Sequence, residues 1–100
     1  MLTTNEIIEK LRPVFESSGV IKAILFGSYA SGCATAGSDV DIVVECEDHI
    51  RGWGFCEIAE SIYQCLEIKV DLISYGEIIP NGRLDNEVAA TGMVIYDRSR

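Results

Sequence analysis

Basic residues are scarce in this sequence: eight Lys and Arg stand against sixteen Asp and Glu, a formal charge of -8. The cations are scattered, so a long phosphate backbone would be repelled, which argues against nucleic acid as a main partner. A nucleotide is a different matter, because a divalent cation can screen the carboxylates around it. Long apolar runs are missing as well. No stretch approaches the ~18 residues of a membrane helix, and no charged-then-apolar leader opens the chain. The four cysteines, Cys33, Cys46, Cys56 and Cys65, form no Cys-x-x-Cys pair, and His49 is the only histidine. That argues against zinc and for reduced thiols in a cytoplasmic protein.

What is present describes one small folded unit. One hundred residues, 48% hydrophobic and 24% charged, make a single domain over 1-100 with room for one core and one site. Thr3-x-x-Glu6 spells a capping box, and Ile7, Ile8, Leu11, Val14 and Phe15 follow at helical spacing, predicting a first helix over 4-18 that Pro13 bends. Val20 to Phe26 is β-branched and aromatic and ends at Gly27, a first strand; the small residues from Ser28 to Ser38 then read as a tight turn with one helical turn inside.

Val40 to Cys46 reads as a second strand. Phe55, Ile58, Ala59, Ile62 and Leu66 mark one face of a helix over 53-66, and Ile68 to Ser74 is a third strand. Beyond Pro80-Asn81-Gly82, a weaker helix carrying Leu84, Val88 and Ala89 leads through Gly92 to a short last strand, Met93 to Tyr96. The fold class is α/β: a small mixed sheet with helices packed on one face.

Against that plan two aspartates stand out. Side chains two apart on a strand share a face, so Asp39 and Asp41 point one way while Val40, Ile42 and Val44 point the other. The third strand repeats the arrangement, with Asp71 between Val70 and Leu72. If the two strands are neighbours, three carboxylates converge, and like charges at close range oppose one another's ionisation unless a cation joins them. Hard oxygen donors of this kind suit Mg²⁺. Asp39 and Asp41 lie about 7 Å apart along the strand, near enough to lean onto metals spaced about 4 Å apart. Where the first strand ends, Gly27 and Ser28 can offer backbone N–H groups and a hydroxyl to phosphate oxygens. The loop is neither a Walker A sequence nor Gly-x-Gly-x-x-Gly.

Taken together, "FGSYASG", "SDVDIVV" and, about thirty residues on, "KVDLIS" resemble the nucleotidyltransferase superfamily of the DNA polymerase β type, and most of all its shortest branch, the minimal nucleotidyltransferases. The resemblance runs from about Val20 to Tyr96. It implies that Gly27 and Ser28 contact a triphosphate, that Asp39 and Asp41 hold two Mg²⁺ ions, and that Asp71 completes the metal site and orients or deprotonates the attacking hydroxyl. The implied reaction moves AMP from ATP to an acceptor hydroxyl and releases pyrophosphate. Many minimal members resemble antitoxins that adenylylate a tyrosine of a HEPN-domain toxin. Such a partner would be a second protein, since no arginine precedes His49 at the HEPN Arg-(x)₄₋₆-His spacing. The pattern departs at Ser31, where family members often carry Arg, and at Cys33, often acidic; if that arginine serves the phosphates, activity here is weak or relies on another cation. Two other readings keep the same residues in view: transfer to a small molecule such as an aminoglycoside, for which dimerisation could supply a missing second domain, and a binding antitoxin without catalysis.

The remaining conspicuous side chains have plainer readings. His49, among acidic neighbours, is a solvated loop residue. Trp53 and Phe55 belong to the core or an interface, Cys56 and Cys65 are small core residues, and Arg98 and Arg100 lie on a frayed tail.

Overall fold

The computed structural model describes residues 2-99. The elements follow in the order α1 (Thr4–Glu16), β1 (Val20–Phe26), α2 (Ser28–Ser31), β2 (Val40–Cys46), α3 (Trp53–Leu66), β3 (Val70–Ser74), a 3₁₀ turn (Tyr75–Glu77), α4 (Arg83–Thr91) and β4 (Met93–Asp97). The capping box forms as spelled: the Glu6 N–H donates to Thr3 Oγ1 at 3.2 Å, and the Thr3 N–H donates to Glu6 Oε1 at 3.0 Å. The helix runs through Pro13 and stops at Glu16, two residues short of expectation, where the Ser17 hydroxyl donates to the Pro13 carbonyl at 2.8 Å. The Ser17 N–H donates to the same carbonyl at 3.1 Å, so backbone and side chain of Ser17 together cap it. The third strand starts at Val70 rather than Ile68.

The sheet is mixed, in the order β3-β2-β1-β4. β1 pairs antiparallel with both β2 and β4, whereas β2 and β3 run parallel with α3 as the crossover between them. One face carries Ala23 and Leu25 of β1 and Val40, Ile42 and Val44 of β2, all fully buried against Ile7, Leu11 and Phe15 of α1 and Ile58, Ile62 and Leu66 of α3. Phe15 also packs on Tyr96 of β4, with ring centroids 5.3 Å apart.

The two long helices therefore share one face, as expected. The shorter α4 reaches β1 from the other side, where Phe26 and Val43 are buried outside the main apolar cluster. Its end comes so close to β1 that a Cβ on Gly92 would sit 3.2 Å from Ile24 Cγ2.

Several plain readings need correction. Cys56 and Cys65 are exposed, because the buried stripe of α3 is Ile58, Ile62 and Leu66 and both cysteines fall off it. Trp53 is 86% exposed at the first position of α3, so of its two expected places, core or interface, the core is excluded, while Phe55 packs against the core. Arg98 is not frayed: its N–H donates to the Ile21 carbonyl at 2.8 Å and its guanidinium pairs with Glu47. That pair, with His49 beside it, holds the exposed Glu47 carboxyl below its ordinary pKa. Arg100 lies outside the described residues. His49 is solvent-exposed, as read.

Candidate active site

The strand register sets the site. Phe26 of β1 faces Asp41 of β2, and Asp41 faces Asp71 of β3, so one row across three strands places the two carboxylates side by side. The parallel β2-β3 pairing is what aligns them. On β2 the alternation puts Asp41 on the face opposite Val40 and Ile42, as its sequence pattern dictates.

Burial pushes the Asp41 carboxyl up from an ordinary 3.8 to about 6, and the negative charges of Asp71 and Asp39 push in the same direction. A hydrogen bond to the Asp71 side chain and the charge of Glu87 on α4 add to the effect. Like charge thus gathers around Asp41, with Asp71 the nearest carboxylate across the strands.

Gly27 forms the corner where β1 passes into α2. Its backbone, at φ 76° and ψ -152°, lies in a region that L side chains avoid. A Cβ there would stand 2.4 Å from Asp41 Oδ2. Two independent constraints thus require glycine, and the second shows that the Asp41 carboxylate lies against the corner itself. Ser28 follows as the first residue of α2, whose leading N–H groups have no carbonyl inside the helix to bond.

An open cavity of about 870 Å³ joins these parts, lined by Phe26, Ser28, Asp41 and Asp71, with Arg83, Leu84 and Glu87 contributed by α4. A separate hollow of about 520 Å³, lined in part by Val14, Glu47, His49, Ile50 and Ile58, involves none of these residues.

Asp39 takes a different position. It precedes β2, lies outside the cavity lining, and pairs with Lys69 Nζ at 3.6 Å. Both partners are substantially exposed, so the pair is weak. Among the described residues no three His, Cys, Asp or Glu side chains are gathered into a metal cage. Mg²⁺ does not demand one: it takes one or two carboxylates and completes its shell with water and substrate phosphate. An oxygen-only donor pair whose own charges oppose its ionisation fits that ion.

Four residues near this centre escaped the sequence reading. Arg83, Glu87 and Thr91 recur every four residues along α4, which is one helix face, and that polar stripe beside Leu84 and Val88 was the available signal. Arg83 is the cation among the lining residues, held by Glu87 at 3.3 Å. Lys69, next to Asp71 by two positions, had no distinguishing pattern. The expected Arg position, Ser31, is exposed, and its hydroxyl bonds the Ser28 carbonyl at 3.3 Å.

Comparison with known proteins bears on the family and the fold. The family described as "Polymerase beta, Nucleotidyltransferase" matches residues 9–100. "Protein adenylyltransferase MntA" of Thermococcus cleftensis is 38% identical over 77 residues, covering 73% of this chain and 78% of the relative. A chain in a crystal structure of a toxin-antitoxin with AMP-PNP superposes with a TM-score of 0.72 at 28% identity, covering 96% of this chain and 74% of that one. A chain in the complex of a tri-AMPylated Shewanella oneidensis HEPN toxin with an MNT antitoxin gives a TM-score of 0.62 at 26% identity, covering 94% and 69%. With the match spanning nearly its whole length, this chain belongs to the polymerase β-type nucleotidyltransferase family.

Proposed function

We propose that this protein is a Mg²⁺-dependent adenylyltransferase that moves AMP from ATP onto a tyrosine hydroxyl of a separate HEPN-domain toxin, and so acts as the antitoxin of the pair. The observation that carries the proposal is the row Phe26, Asp41, Asp71, which sets two carboxylates beside the Gly27-Ser28 corner in one open cavity. The names of the relatives support the nucleotide and the partner: one is a protein adenylyltransferase, one structure holds AMP-PNP, and one contains an AMPylated HEPN toxin.

Gly27 and Ser28 would hold the triphosphate, and Asp41 and Asp71 would hold Mg²⁺, with Asp39 joining them by leaving its exposed pairing with Lys69. Bound Mg²⁺ supplies charge neutralisation at the phosphates. Asp71 takes the proton of the acceptor hydroxyl as its oxygen bonds to the α-phosphorus. The bond from that phosphorus to the bridging oxygen breaks, and pyrophosphate leaves with the electron pair. Catalysis is then positioning and electrostatics rather than covalent chemistry by the protein. Arg83, which lines the same cavity, would supply the positive charge that Ser31 does not. The four unpaired cysteines suit a reducing cytoplasm.

The test is label transfer. The purified protein, Mg²⁺, each α-labelled nucleoside triphosphate and lysate of the source cell are combined, beside an Asp39→Asn/Asp41→Asn control. A protein band labelled from ATP only with the aspartates present is the expected result. No aspartate-dependent label on any protein would sink the proposal and favour neutralisation by binding alone.

A further inference from the structure

We infer that Thr91 is a positioning residue for the phosphate-holding corner, an inference that rests on the nucleotidyl transfer proposed above. The Gly27 N–H donates to Thr91 Oγ1 at 2.9 Å across 64 residues of sequence. The same hydroxyl donates to the Glu87 carbonyl at 3.0 Å, one turn back in α4. Its proton is therefore committed to Glu87, and its lone pair is turned to Gly27. A threonine late in a helix often back-bonds to its own helix. Here that bond has the further effect of aiming an acceptor at another element.

The corner needs such help. Glycine is the residue least able to hold a backbone conformation by itself. The peptide that carries the Gly27 N–H lies immediately before the residue whose rotation aims Ser28. Fixing it from outside limits how the Ser28 N–H and hydroxyl present themselves to a phosphate. Thr91 is in reach only because α4 ends hard against β1. A Cβ at Gly92 would stand 3.2 Å from Ile24 Cγ2, so the helix end closes onto the strand, and it would also meet α4's own Val88 carbonyl oxygen at 2.3 Å. Arg83 and Glu87 stand on the same helix face and line the cavity, so one docked helix brings charge and positioning to the site together.

The test compares Thr91→Val, which keeps the shape and loses the hydroxyl, with Thr91→Ser, which keeps the hydroxyl. AMP-PNP binding with Mg²⁺, steady-state constants for ATP and acceptor, and thermal melting are measured for each. Thr91→Val is expected to weaken AMP-PNP binding and raise KM for ATP about 3- to 10-fold, the value of one such hydrogen bond. KM for the acceptor stays put, and Thr91→Ser binds within about twofold of wild type. Thr91→Ala replaces the valine variant if valine strains the packing. Nucleotide binding unchanged by loss of the hydroxyl, or not restored by Thr91→Ser, overturns the role of Thr91 while leaving the proposed function intact. A wild type that binds no nucleotide overturns both.

Discussion

The two faces of β2 carry residues of opposite kinds where Asp41 meets the apolar set beside it. Val40, Ile42 and Val44 are fully buried between the sheet and the long helices, a set chosen for packing alone. One residue along, Asp41 faces Phe26, Asp71 and the charge of Glu87, and is driven toward its neutral form. The first face lowers the free energy of the fold, and the second raises it in the absence of a cation. A 100-residue domain has little stability to spare. A cluster of like charges on its central strand therefore points to a role that outweighs the loss. The lesson is that in a small domain function is best sought where the packing pattern is interrupted by residues that the fold alone would not select.

Adjacent substitutions on β2 can separate the faces. Asp41→Asn is expected to lower transfer by at least 10²- to 10³-fold, on the scale of losing a major transition-state charge contact. It should leave the metal-free protein melting no lower than wild type at pH 7.5, since it removes a charge held there at a penalty. Ile42→Ala should do the reverse at the level of mechanism: it destabilises by about 2–5 kcal/mol through the lost burial and the cavity left behind, read from denaturant unfolding, while the fraction still folded keeps its KM for ATP. A destabilised Asp41→Asn, or an Ile42→Ala protein as stable as wild type, would break the division between faces. Gly27→Ala sits at their junction and should show a smaller, mixed effect. Its backbone strain costs about 1–3 kcal/mol, and the new methyl displaces Asp41 Oδ2. Stability and transfer should therefore fall together, checked by melting and by label incorporation.

Much of this division was legible in the sequence because alternation on a strand is a local property. Asp41 and Asp71 sit in short windows whose apolar partners fix the face, and Gly27-Ser28 marks a strand end; Asp39, expected beside them, precedes the strand and lies outside the cavity lining. The long helices were legible for the same reason, from the spacing of Ile7, Leu11 and Phe15 and of Ile58, Ile62 and Leu66. What escaped depends on where separate elements meet. The contact of Thr91 with Gly27 requires the docking of α4 on the far side of β1, which the polar stripe of Arg83, Glu87 and Thr91 does not reveal by itself. The pairing of Asp39 with Lys69 depends on the entry to two neighbouring strands. Cys56 and Cys65 were misplaced because a helix face was widened by apolar residue type alone, whereas the packed stripe is one residue wide per turn.

The smallest expected effect is also the most specific to the Asp41 face, and it lies in the pH dependence of stability. Asp41 binds its proton more tightly in the folded state, with a pKa of about 6, than at its ordinary value of 3.8. The contribution of this group is therefore fully present below about pH 4 and is lost as pH rises through 6, opposite to a salt-bridged aspartate. Glu6, held low by its capping hydrogen bonds with Thr3, and Glu47, held low chiefly by Arg98, act in the usual sense and lose their contribution as pH falls. Asp41→Asn removes the first effect and leaves the other two. The melting temperature of the metal-free wild type minus that of Asp41→Asn should thus decline between pH 4 and 7 and level off above. Millimolar Mg²⁺ should recover part of the loss above pH 6 in the wild type and less in the variant, because the ion binds best where the carboxylates are ionised. Parallel melting curves across this range would mean that Asp41 titrates like a solvated strand aspartate, and the two faces of β2 would then differ in composition but not in energy.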